Sequence, residues 1–146
     1  DYGYAVLRSV VARCLCASGL HPSFGIHHRS PYNTFPLADD AMEPFRPAID
    51  RVVFQMAREL AGTRAGLRMD PESKRRVITA ITDRYYAEDE QRTLLDLIQI
   101  SCQRLAHVVE GCSDRFEIPL WRTEVKKRAA RALSHHVDVR DVRSAG

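Results

Sequence analysis

Apolar residues in this chain recur every three or four positions in block after block, and each block ends at a glycine, a proline or a polar cluster. That period marks helices with one buried face, and few other architectures accommodate it. Tyr4, Leu7, Val11 and Leu15 define a first helix, which Gly19 is placed to stop in a left-handed cap. A loop over 20–36 follows, carrying three prolines and three of the six histidines. A short helical piece over 37–43 then leads, across a kink or break at Pro44 and Pro47, into a longer helix with Ile49, Val52, Val53, Met56 and Leu60 on one face. Asp70-Pro71 supplies an N-cap and a first-position proline for a third long helix, with Val77, Ile78, Ile81 and Tyr85 as its buried stripe.

A fourth helix is expected from about 91 to 110, with Leu94, Leu95, Ile98, Leu105 and Val109 on its apolar face and Gly111 as its stop. After Pro119, the residues Leu120, Trp121, Val125, Ala129 and Leu133 outline a final amphipathic helix. No repeat, low-complexity run or strand emerges. The expected class is therefore all-α, a helical bundle, with one domain over 1–134 and a flexible tail over 135–146. At 146 residues, 45% of them hydrophobic, one such domain buries roughly two thirds of its unfolded surface. No run approaches the ~20 apolar residues of a membrane span and no signal-peptide pattern opens the chain, so a cytoplasmic protein with no membrane partner is expected.

The formal charge of +3 does not itself indicate a polyanionic partner, but the charges are unevenly placed. Arg122, Lys126, Lys127, Arg128 and Arg131 face only Glu124, whereas Asp39, Asp40 and Glu43 form a compact acidic group. Cys14 and Cys16 point to separate faces of a helix, and Cys102 and Cys112 form no CxxC, so buried reduced thiols in a reducing compartment are expected.

The chemistry concentrates in the loop Gly25-Ile26-His27-His28-Arg29-Ser30-Pro31-Tyr32-Asn33 and the acidic helix that follows it. Asp40 and Glu43 share a helical face, and Asp39 and Glu43 nearly do. Like charges so placed repel. A divalent cation turns the repulsion into attraction; imidazole with carboxylate suits Mn2+, and Mg2+ is accommodated through oxygens and water. Taken alone, the same acids are equally explained as a helix start favoured by the helix dipole.

The segments Tyr2-Gly3-Tyr4-Ala5-Val6-Leu7-Arg8, Gly19-Leu20-His21-Pro22-Ser23, Gly25-Ile26-His27-His28 and Phe45-Arg46-Pro47-Ala48-Ile49-Asp50 together resemble the CRISPR-associated protein one family, the spacer integrases, and most closely its type II members. Ile118-Pro119-Leu120-Trp121-Arg122 is also similar to the family. The resemblance implies a metal-dependent DNA endonuclease and integrase that joins 3′-hydroxyl ends of protospacer DNA to a repeat array by transesterification. It places the metal ligands, for Mg2+ or Mn2+, on His28 and Glu43, and makes Asp40 a supporting acid that acts through water or orients His28. The family's first glutamate and its β-rich N-terminal domain would precede Asp1, so a fragment of a longer protein is expected. Partners implied are double-stranded DNA, a second copy in a homodimer, and CRISPR-associated protein two.

Arg29, Asn33 and Arg46 lie beside the implied centre as phosphate contacts, and Lys126 and Lys127 sit on the basic face of the last helix as further DNA contacts. Against this stands a non-catalytic helical module that binds nucleic acid or a protein partner. A His-Asp phosphohydrolase is the remaining class, and the His-Asp dipeptide it requires does not occur.

Overall fold

The computed structural model describes residues 2–25, 32–61, 66 and 68–123. Helix α1 (Tyr2–Ala17) buries Leu7, Val11, Cys14 and Leu15 on one stripe and stops where expected: Gly19 adopts φ +80°, and the Leu20 amide donates to the Leu15 carbonyl at 2.9 Å. Helix α2 (Pro36–Met42) passes through a 3₁₀ turn (Glu43–Phe45) into α3 (Arg46–Glu59). Pro44 and Pro47 each fall at the start of a helical segment, where a missing N–H costs nothing, so the expected break is a single tightened turn. In α4 (Pro71–Thr82) the Asp70 carboxylate accepts the Ser73 amide at 2.7 Å, the anticipated cap.

Helix α1 is central and packs against α2, α3, α4 and α5 (Leu94–Val109). The middle of the core is Leu7, Leu15, Ile49, Val77, Leu94, Leu97 and Ile98, all essentially without solvent exposure. Gly3 marks the tightest crossing: a Cβ there would lie 2.5 Å from Ile49 Cγ2 and 3.4 Å from Val77 Cγ1.

The all-α expectation is corrected by a small antiparallel sheet of order β2-β1-β3, formed by β1 (Arg84–Ala87), β2 (Glu90–Thr93) and β3 (Trp121–Arg122). Residues 88 and 89 turn the hairpin with both backbones left-handed, Glu88 at φ 50° and Asp89 at φ 64°, a geometry usually given to Asn or Gly. Arg104 of α5 grips the Glu88 carboxylate at 2.8 and 3.1 Å and so holds that turn down. Tyr85 thus ends on a strand, buried, with its hydroxyl donating to the Ala80 carbonyl at 2.9 Å, and Ile78 is half exposed rather than part of the stripe. Helix α5 starts three residues later than expected, at a capping box in which Thr93 and Asp96 exchange hydrogen bonds.

The final helix is corrected at its start, because Trp121 and Arg122 pair with β1; the residues from 124, and the expected 134/135 boundary, lie outside the described residues. Cys14 and Cys102 are buried as anticipated, but Cys16 and Cys112 are exposed. No described helix is long and apolar enough to cross a membrane.

Replacing Gly3 by Ala is expected to destabilise the chain by about 1–3 kcal/mol in denaturant unfolding, because the added methyl meets Ile49. In an Ile49→Ala background, which lacks that Cγ2, the same substitution should cost less. Strictly additive effects of the two changes would contradict the steric account.

Candidate functional site

The acidic group is built where the loop returns to the helical core. The Leu37 amide donates to the Pro22 carbonyl at 2.9 Å, which joins the approach to the loop to the first turn of α2. Asp39 completes the join: its Oδ1 accepts Arg8 Nε from α1 at 2.6 Å and its Oδ2 accepts Asn33 Nδ2 at 2.7 Å. Asn33 Oδ1 in turn accepts the Phe35 amide at 3.0 Å. Only 15% of the Asp39 side chain is exposed, so its charge is compensated almost entirely by protein donors.

Asp40 is half-buried on the wall of a mainly apolar cavity of about 270 Å³ that reaches to Phe45, Cys102, Leu105 and Ile118. Burial pushes the Cys102 thiol up to about 12, so it lines this cavity as a neutral, unreactive group. Glu43 follows on the 3₁₀ turn. Its two oxygens lie 2.8 and 3.1 Å from Nη1 of Arg46, with both side chains roughly half in solvent. The Arg46 guanidinium also rests on the Tyr4 ring, 4.7 Å from its centroid, and the Tyr4 hydroxyl donates to Asp50. The hydrogen bond to the Asp50 carboxylate, with some desolvation, raises the Tyr4 pKa and keeps the phenol a donor.

The turn that carries Glu43 is braced from the sheet. Trp121 Nε1 donates to the Pro44 carbonyl at 3.3 Å, while the indole packs edge-on against Tyr85 with centroids 5.0 Å apart.

Of the residues named from the sequence, Asp40, Glu43, Asn33 and Arg46 fall in this region, with Asn33 committed to Asp39 and Arg46 to Glu43. His28, Arg29, Lys126 and Lys127 lie outside the described residues. Among the described residues, no three His, Cys, Asp or Glu side chains converge as a metal cluster. Arg8, Tyr4 and Asp50 were not anticipated as partners. Tyr4 and Arg8 stand one turn apart on α1, and Arg46 and Asp50 one turn apart on α3, so each pair shares a helix face, but only packing brings the two faces together. Carboxylates are hard oxygen donors of the kind that Mg2+ and Mn2+ take, and among the described residues Glu43 offers one that is half in solvent.

A family model described as CRISPR associated protein Cas1 matches residues 1–83. The chain belongs to the Cas1 family. The matched Cas1 stretch takes in α1 to α4 with every contact of the Arg8–Asp39–Asn33 and Glu43–Arg46–Tyr4 groups, and stops short of the hairpin and α5.

Among curated relatives, the chain is 50% identical over 56 residues to a CRISPR-associated endonuclease Cas1 of Neisseria meningitidis serogroup C, covering 38% of this chain and 18% of that protein. It is 32% identical over 87 residues to a CRISPR-associated endonuclease Cas1 2 of Pyrobaculum aerophilum, covering 60% of this chain and 29% of that protein. The chain thus spans well under half the length of these Cas1 relatives. The solved structure of a casposase bound to integration product superposes with a TM-score of 0.65 at 22% identity, over 80% of this chain and 38% of that one, a likeness of fold.

Asp39→Asn is expected to loosen the α1–α2 join by about 1 kcal/mol, read as roughly fivefold faster hydrogen exchange at the Leu37 amide. Arg8→Met should act in the same direction. Unchanged exchange in both variants would contradict the role given to this ion pair.

Proposed function

We propose that the chain is the catalytic helical portion of a Cas1-type DNA integrase and endonuclease. The observation that carries this reading is the Glu43 carboxylate, half-exposed and holding a cationic group, within the segment that matches the family. The substrate is double-stranded DNA, a protospacer end and a repeat array. The 3′-hydroxyl of the incoming strand gives up its proton to solvent as its oxygen forms a new P–O bond, while the 3′-oxygen of the repeat leaves with the electron pair and takes up a proton; in cleavage, water replaces the hydroxyl.

Glu43 and His28 are the residues proposed to hold Mg2+ or Mn2+. Such an ion, when bound, polarises a phosphoryl oxygen and stabilises charge on the attacking or leaving oxygen. Asp40, half-buried at the cavity wall, steadies the His28 ring or a bound water. Arg46 and Arg29, with Lys126 and Lys127 further along, hold DNA phosphates, Arg by paired donors. Asn33 keeps α2 seated through Asp39. A second copy of the protein and CRISPR-associated protein two complete the assembly in this proposal.

The Arg46–Glu43 ion pair also favours a second reading, a non-catalytic DNA- or partner-binding module in which Arg46 satisfies the acid permanently. The two part in an integration assay. The full-length protein and CRISPR-associated protein two are given a labelled DNA end and a repeat-containing plasmid. His28→Ala should lower half-site joining by roughly a hundredfold or more, with helical content preserved in circular dichroism. Joining at the parent rate by that variant would remove His28 from the chemistry, whereas no joining by the parent protein itself would leave the second reading standing.

A further inference from the structure

We infer that Arg46 is an exchangeable counter-ion, seated on Glu43 when no divalent cation is there and released to a DNA phosphate when one binds. The inference rests on the proposed role of Glu43 as a cation ligand and adds a coupling between cation and DNA that this role alone does not contain.

Four features of the seat support exchange. First, the pair is weak by construction, since 39% of the Arg46 side chain and 48% of the Glu43 side chain face solvent, and such pairs contribute little. Second, the guanidinium is incompletely satisfied: Nη1 reaches both Glu43 oxygens, but Nε is buried with no hydrogen-bond partner among the described residues. Third, the Tyr4 ring offers the cation a hold that does not involve Glu43, and the hydrogen bond to Asp50 keeps that ring in place. Fourth, the backbone cannot follow the side chain, because the Arg46 amide donates to the Glu43 carbonyl and Pro47 comes next. Only the side chain is left to move.

A doubly charged ion at Glu43 outcompetes a singly charged guanidinium for the carboxylate and repels it. The released guanidinium still lies near the ring of Tyr4, now with a free fork of donors matched to phosphate oxygens. Thermodynamic linkage then requires each ligand to raise the affinity of the other by the same factor. An arginine that merely touched DNA would strengthen binding equally with or without the ion.

The test uses the full-length protein with Mn2+ and a short repeat duplex. Calorimetry reads Mn2+ binding without DNA, and fluorescence anisotropy reads duplex binding with and without Mn2+. In the parent, Mn2+ should raise duplex affinity about threefold to tenfold. Arg46→Met should bind Mn2+ alone about twofold to fivefold more tightly and lose the Mn2+-dependent gain for DNA. Arg51→Met, which removes an equal charge from an exposed position on α3, should keep that gain. Arg46→Met with unchanged or weaker Mn2+ binding, or with the full gain retained, would overturn the exchange while leaving Glu43 as a ligand. Glu43→Gln with parental Mn2+ affinity would instead remove the ligand role, and the inference with it.

Discussion

Leu37, Ala38 and Met42 are almost fully buried against the core, and Asp39, between them, closes an ion pair with Arg8 of α1 at 2.6 Å. A helix of seven residues does not hold its shape alone, so this docking gives α2 its rotation and its position. Everything downstream inherits it. The 3₁₀ turn continues from α2 and sets Glu43, Arg46 begins α3 at the end of that turn, and Pro44 is fastened from the opposite side by Trp121. The site is therefore a consequence of how one short helix meets the central one, with the small sheet as a brace.

The four carboxylates between α2 and the first turns of α3 are treated differently by their surroundings, and that difference gives the region its chemistry. Asp39 is mostly buried and tied by two donors, and Asp50 takes the Tyr4 hydroxyl. Asp40 stands on the wall of a mainly apolar cavity. Among the described residues Glu43 is paired with a neighbour three residues away and half in water, the arrangement most readily exchanged for another cation.

The helices were legible because their signals are local: the stripe through Leu7, Val11 and Leu15, the stop at Gly19, the cap at Asp70. The hairpin was not, because Glu88 and Asp89 adopt left-handed backbones without glycine, held by Arg104 from a helix that comes later in the chain. The spacing from Thr93 to Asp96 did carry a capping-box signal, with Leu94 and Leu95 between the two and Leu97 and Ile98 after them. At the site the short helix that carries Asp40 and leads to Glu43 was legible from the helical period, and Cas1 membership followed from the motifs around them. The partners Arg8, Tyr4 and Trp121 were not, since each reaches the acidic segment from a distant part of the chain and only packing selects them.

The central claim is that Glu43 and His28 grip one divalent ion. Anomalous diffraction from crystals of the full-length protein soaked in Mn2+ tests it most directly. The account predicts a single strong peak at about 2.1 Å from a Glu43 carboxylate oxygen and from an imidazole nitrogen of His28, with the Arg46 guanidinium withdrawn from Glu43. A peak bound elsewhere, or Glu43 still paired to Arg46 with His28 turned away from it, would contradict the claim.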